Sequence, residues 1–160
     1  MTTPQNAEIK NQLRATNTIF FALIIGMLLF FAVVMVFIQD RVQWTDDNLN
    51  MILTFLVPVF GLIMMFISRM IYNQMISKID ASHSLIQKLS GYRTAKIVSW
   101  AVIEGACFLA LVATMLTSNY LYVTVFVFLL GYFILIRPSK ESLIRDMNLN
   151  SDESDLIFKS

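Results

Sequence analysis

Between Ile19 and Ile38 the chain reads IFFALIIGMLLFFAVVMVFI, twenty consecutive residues without an acid or a base. At 1.5 Å of rise per residue, a helix of that length is about 30 Å long, which is the thickness of a bilayer's hydrocarbon core. A cleaved signal peptide has a shorter apolar core and a small-residue cleavage site, and Gln39-Asp-Arg-Val-Gln-Trp44 supplies none. The expectation is a retained membrane span. Composition agrees: 57% of the 160 residues are hydrophobic and only 14% charged, against about 25% charged in soluble domains.

Three further stretches have the same character. Leu49 to Ile71 forms a second span, with Pro58 inside it and expected to kink it by removing a backbone donor. Ile97 to Thr117 forms a third, Ser118-Asn119 a tight turn, and Tyr120 to Ile136 a fourth that Arg137-Pro138 stops. The spans at 19–38, 49–71, 97–117 and 120–136 make a membrane domain over 19–136. A polar segment, 1–18, precedes it and a tail, 137–160, follows. Trp44 is placed as an interfacial anchor in a short loop with Asp40, Arg41, Asp46 and Asp47.

From Ser68 to Ser90, Ile71, Met75, Ile79, Ile86 and Leu89 recur at helical spacing among polar residues. That pattern predicts a continuation of the second helix or a separate amphipathic one, ending near Gly91. Ser139 is positioned to cap a short helix with Leu143, Ile144 and Met147 on one side. The tail, with Asp152, Glu153 and Asp155, is acidic and expected to be mobile. The fold class is therefore an all-α integral membrane protein. Its spans are expected to form a four-transmembrane-helix bundle of two helical hairpins, with an amphipathic cytoplasmic linker helix.

Lys and Arg fix the orientation. Lys10 and Arg14 precede the first span; Arg69, Lys78, Lys88, Arg93 and Lys96 lie between the second and third; Arg137, Lys140 and Arg145 follow the fourth. An even number of spans puts all three groups on one side, so both termini are expected in the cytoplasm, at a bacterial inner membrane. The absence of any N-x-[ST] acceptor also suits a prokaryotic source.

Glu104 is the only acidic residue inside any span, and Arg69 lies two residues from the end of the second. A charge at a helix centre costs roughly 2.5–3.5 kcal/mol, so a proton, a hydrogen-bond partner or a use must offset it. Ser68 and Tyr132 are at suitable depth to bond a neutral carboxyl, and Arg69 could reach in as an ion-pair partner. Gly26, Gly61, Gly105 and Gly131, one per span, sit near the depth of Glu104 and suggest a tight waist, against the simpler reading that glycine is common in membrane helices. At 100° per residue, Glu104 shares a face with Ile97, Trp100, Ala101, Phe108, Leu111 and Met115. Ser99, Ala106, Ala110, Ala113 and Thr117 form a small-residue stripe nearly opposite. If that stripe is an intramolecular contact, the Glu104 face must meet another helix, another subunit or water.

Chemistry is otherwise sparse. Net charge is +1 with no basic stripe interleaved with aromatics, which argues against nucleic acid as a partner. The single cysteine, Cys107, and the single histidine, His83, leave no ligand set for a metal. The methionines Met64, Met65, Met70 and Met75 read as apolar packing. No phosphate loop, dinucleotide fingerprint or nucleophile elbow occurs. No catalytic residue, cofactor or metal site is assigned, and an enzyme is not expected.

Shifting the chain by 79 positions aligns Arg14 with Arg93, Ala22 with Ala101, Gly26 with Gly105 and Val33 with Val112, a sign of two related hairpins. The run Ala101-Val-Ile-Glu-Gly-Ala106 resembles, locally, the rotor-ring proteolipids of vacuolar-type ATPases. Those proteins carry the carboxylate on the second helix of a hairpin, whereas Glu104 opens its own. A broader likeness rests on Tyr92-Arg-Thr-Ala-Lys-Ile97, Trp100-Ala-Val-Ile-Glu-Gly105, Arg137-Pro-Ser-Lys-Glu141 and the Asp146-Met-Asn-Leu149 tail. In these the chain resembles a group of small bacterial four-span membrane proteins of unassigned activity. The resemblance implies that the Glu104 helix and the Arg-Pro exit form the recurrent core. The expected function is a non-enzymatic scaffold or accessory subunit working through helix–helix contacts. Its partners would be the lipid bilayer and either a second copy or another membrane protein. The alternative is a small proton- or cation-linked transport component using Glu104.

Overall fold

The computed structural model describes residues 4–39, 47–80, 83–147, 149 and 151–159, and their regular secondary structure is entirely helical. In chain order the helices are α1 (Pro4–Gln39), α2 (Asp47–Ser77), α3 (Leu85–Thr117), α4 (Leu121–Leu135), α5 (Lys140–Asp146) and α6 (Ser151–Lys159). Helices α1, α2 and α3 are each long and apolar enough to cross a membrane, and α4 with α5, bent by 73° at the break between them, makes a fourth candidate. Asp40, Arg41, Trp44 and Asp46 of the expected loop lie outside the described residues, as does Asn148.

Helix α1 buries a single seam: Ile9, Thr16, Phe20, Met27, Val34 and Ile38, spaced by sevens and fours. That is the spacing at which a helix keeps one edge against its neighbours. Its other faces present Phe21, Leu29, Val33 and Val36 outward. Helix α2 likewise turns Phe55 and Phe66 outward and continues through Pro58, whose ring cannot donate to the Thr54 carbonyl. Half of the apolar window of α3 is buried inside the molecule, against 17% for α1 and for α2. Helix α3 is therefore the centre, packed against α1, α2 and α4. Around it, Phe20 lies 5.1 Å from Trp100 and stacks on Phe133 at 5.2 Å, and Phe31 stacks on Phe126 at 5.2 Å.

Expectations about the polar segments change in part. Of the two alternatives for residues 68–90, the continuation of the second helix forms, and no separate linker helix occurs among the described residues. Helix α2 continues to Ser77, and a reciprocal cap opens α3 at Leu85: Ser84 N–H donates to Gln87 Oε1 at 3.1 Å and Gln87 N–H to Ser84 Oγ at 3.5 Å. Gly91 does not end a helix but lies within α3. A methyl there would stand 2.7 Å from Ile79 Cδ1, so its bare backbone lets the turn after α2 pass close by. The amino-terminal polar segment is the start of α1, with Ile9 fully buried. The expected mobile tail contains α6, which buries Ile157 and whose Glu153 pairs with Lys88 at 2.8 Å.

These additions share one place. Ile9, Tyr72, Leu85, Leu89, Tyr92, Ala95, Leu143 and Ile157 form a second apolar cluster, separate from the one around Trp100. The Ser139 cap forms as expected, its hydroxyl accepting from Ser142 N–H at 3.1 Å, and Leu143 then points into this second cluster. At the opposite end of the bundle Ser118 takes a left-handed conformation (φ 53°) and its N–H reaches Thr114 O at 2.8 Å, closing α3 in a tight turn. There Asn119 Nδ2 donates to Asn50 Oδ1 at 3.0 Å, and Tyr122 OH lies 3.0 Å from the same oxygen.

Candidate functional site

Glu104 sits in the middle of α3, half-buried, with no hydrogen bond or ion pair among the described residues. None of its expected partners meets it. Ser68 is buried and donates to the Ser99 carbonyl at 2.9 Å, with its oxygen 2.7 Å from the Ser99 hydroxyl. Arg69 and Tyr132 line a cavity in which Glu104 takes no part.

The faces of α3 explain this placement. The small stripe Ser99, Ala106, Ala110, Ala113 and Thr117 is buried, and Ser99 meets α2 through Ser68. Most of the opposite face is also covered: Trp100 and Leu111 are fully buried, and Phe108 packs edge-on against Phe30 of α1 at 5.3 Å. What stays outward is a narrow strip through Val98, Ala101, Gly105 and Leu116, with Glu104 at its edge. The glycines do not make a waist within one chain. Gly26, Gly105 and Gly131 have open space where a methyl would stand, Gly105 and Gly131 being on exposed faces. Only Gly61 meets another helix, at 3.3 Å from Leu129 Cδ1.

The cavity holding Arg69 and Tyr132 is a polar site about two turns before Glu104 along α3, at Lys96 and Ser99. Its volume is about 110 Å³, and it lies where α2, α3, α4 and α5 converge. Arg69 comes from α2, Lys96 from α3, Arg137 from the break after α4 and Arg145 from α5; Asp146 is the one carboxylate. Asp146 is held on both sides, by Tyr72 OH at 2.6 Å and Arg145 Nε at 3.2 Å. Lys96 is only 7% exposed, and its ammonium lies 4.5 Å from the Tyr72 ring centre and 5.5 Å from that of Tyr92. It has those two ring faces but no hydrogen bond or ion pair among the described residues. Tyr92 is fixed in turn through its hydroxyl, 2.8 Å from Ser142 Oγ.

A larger cavity of about 470 Å³ adjoins this one, sharing Arg69, Tyr72 and Asp146 and adding Asn73, Asp80 and Lys88. Sequence reading singled out Arg69 and Tyr132 but not Lys96, Tyr72, Ser142 or Asp146. A signal was present: Arg69 and Arg137 close the second and fourth apolar stretches and Lys96 opens the third, so all three fall on one side once the helices alternate in direction. Comparison with protein-family models, curated proteins and solved structures finds no match for the chain in any of the three.

Proposed function

We propose that the chain is a four-span bundle of the bacterial inner membrane, termini in the cytoplasm, that acts without catalysis by pairing with a second copy of itself. The carrying observation is the outward strip of α3, where Ala101 and Gly105 are four residues apart beside a Glu104 that has no hydrogen bond or ion pair among the described residues. Small residues at that spacing let two helices approach closely in lipid, where packing rather than water drives association. A polar side chain directed at hydrocarbon is the costly alternative. In a two-fold pair the strip meets itself, and one protonated Glu104 can donate to the other's carboxylate. Such a module serves as a scaffold or accessory subunit. The orientation rests on the cations, which gather at the end carrying α5, α6 and the start of α1. A reporter enzyme fused after Ser154 that reads as external would reverse it.

Gly105→Leu is the decisive variant, because the position is exposed and a Cβ there meets nothing within 4 Å in its own chain, so the added bulk is directed at a partner. Cross-linking at native expression should show dimer for the wild type and Glu104→Gln, and monomer for Gly105→Leu and Glu104→Leu. Unchanged dimer in both Leu variants, or a monomeric wild type, would overturn the proposal. The same carboxyl supports a second reading, a proton- or cation-linked transport component. The two separate at Glu104→Gln, which keeps a hydrogen-bonding group for pairing but would abolish flux into liposomes.

A further inference from the structure

We propose that the cavity between α2, α3, α4 and α5 binds the phosphate group of an anionic phospholipid. Four cations face one carboxylate there, an excess of three positive charges, and Asp146 is already committed to Tyr72 and Arg145. Arg69 makes no hydrogen bond or ion pair among the described residues, and neither does Lys96. Lys96 is more than nine-tenths buried and lines the cavity. A buried ammonium that has ring faces and the field of Asp146 but no hydrogen bond among the described residues is under-solvated, and a phosphate oxygen would supply the charge-assisted hydrogen bond it lacks.

The shape of the site fits the same class. The volume of about 110 Å³ is well above the roughly 10–15 Å³ that one water requires, so a tetrahedral group enters. The hydroxyl of Tyr132 adds a donor beside the cations, while that of Ser142 is already given to Ser139 O at 3.1 Å. One wall is apolar: Leu135 lines the cavity and is 82% exposed, the most exposed of the large apolar side chains. Cations inside and bare hydrocarbon at the mouth match a phosphate with an acyl chain attached, at the depth where headgroups lie beside a basic helix end. The phosphate chemistry does not depend on pairing through Glu104; only the lipid as its source depends on the membrane reading.

The test uses the full chain in uncharged detergent, titrated in separate arms with phosphatidylglycerol, phosphatidylcholine and inorganic phosphate. Bound mass is read by native mass spectrometry and protection by thermal shift. Phosphatidylglycerol should bind the wild type and phosphatidylcholine should not. Lys96→Gln should weaken binding about tenfold, and so should Arg69→Gln, whose exposed side chain holds nothing else in place. Lys78→Gln, an exposed cation at the same end but outside the cavity, should change nothing. Inorganic phosphate that binds and displaces phosphatidylglycerol would identify the phosphate group as the recognised part. Inorganic phosphate binding without phosphatidylglycerol would support the oxyanion site and remove the lipid as its source. No binding in either anionic arm would overturn the proposal, as would equal losses in Lys78→Gln and Lys96→Gln.

Discussion

Helix α3 runs through two cores, and the terms of packing change near Lys96. Beyond Ile97 its neighbours are Phe20, Phe31, Phe126 and Phe133, brought together by ring contacts and a stripe of small side chains. Hydroxyls in that half turn mostly onto their own helix, Thr114 to Ala110 O at 2.9 Å and Thr117 to Ala113 O at 2.8 Å. Before Lys96 the apolar cluster is smaller and is tied across elements: Tyr72 to Asp146, Tyr92 to Ser142, Lys88 to Glu153. In hydrocarbon there is no hydrophobic gain from bringing helices together, so close fit must supply it. In water the apolar cluster drives association, and polar ties then select one arrangement among several.

Trp100→Ala should break the larger core most severely. The indole is fully buried against Phe20 and Phe133, and its N–H lies 3.5 Å from Ile136 O. A loss of about 3 kcal/mol is expected, visible as a fall in melting temperature in detergent. Retained stability would mean that the aromatic contacts around α3 carry little.

Ile157→Ala sharpens the contrast from the other side. Ile157 is the fully buried residue of α6, so its truncation should cost about 2 kcal/mol locally. Hydrogen exchange should rise throughout α6 and stay unchanged in α3 from Ala101 to Thr117. Equal acceleration in both would show one cooperative unit rather than two cores.

Tyr72→Phe is the mildest change, removing the 2.6 Å bond to Asp146 while keeping the ring under Lys96. About 1.5 kcal/mol should be lost, read from the same unfolding transition. No loss would place the stability of this end in its apolar cluster alone.

The apolar stretches were legible because their signal is local and unmixed: Ile19–Ile38 needs no partner to be recognised. The Ser139 cap was legible for the same reason, being a contact three residues long. The start of α1 was not, since Ile9 and Leu13 are sparse apolar residues among polar neighbours and they join a cluster built with residues of α2, α3, α5 and α6. Helix α6 was missed because what holds it is distant: Lys88 and Glu153 are 65 residues apart. The candidate site divides in the same way. Glu104 stands out in its sequence context, whereas Lys96 looks like any cation at a span's end until Tyr72 and Tyr92 are seen beneath it. That Ser68 would turn to Ser99 rather than to Glu104 depends on the rotation of α2 against α3, which no local pattern encodes.

If α4 is the fourth span, as in the function proposed above, its brevity bears on the bilayer itself. Its 15 residues rise about 22 Å, short of the roughly 30 Å that hydrocarbon ordinarily occupies, and the chain turns away by 73° at once into α5. A span that ends early is accommodated by local thinning of the membrane on its own flank, at fractions of a kcal/mol per ångström. Thinning beside α4 would lower the leaflet surface toward Arg137, so that the guanidinium would reach water without the helix having to lengthen. On that reading the protein would be asymmetric in the thickness it imposes, full beside α1 and pinched beside α4, with an uneven rim that favours short-chain lipids on one side of the molecule.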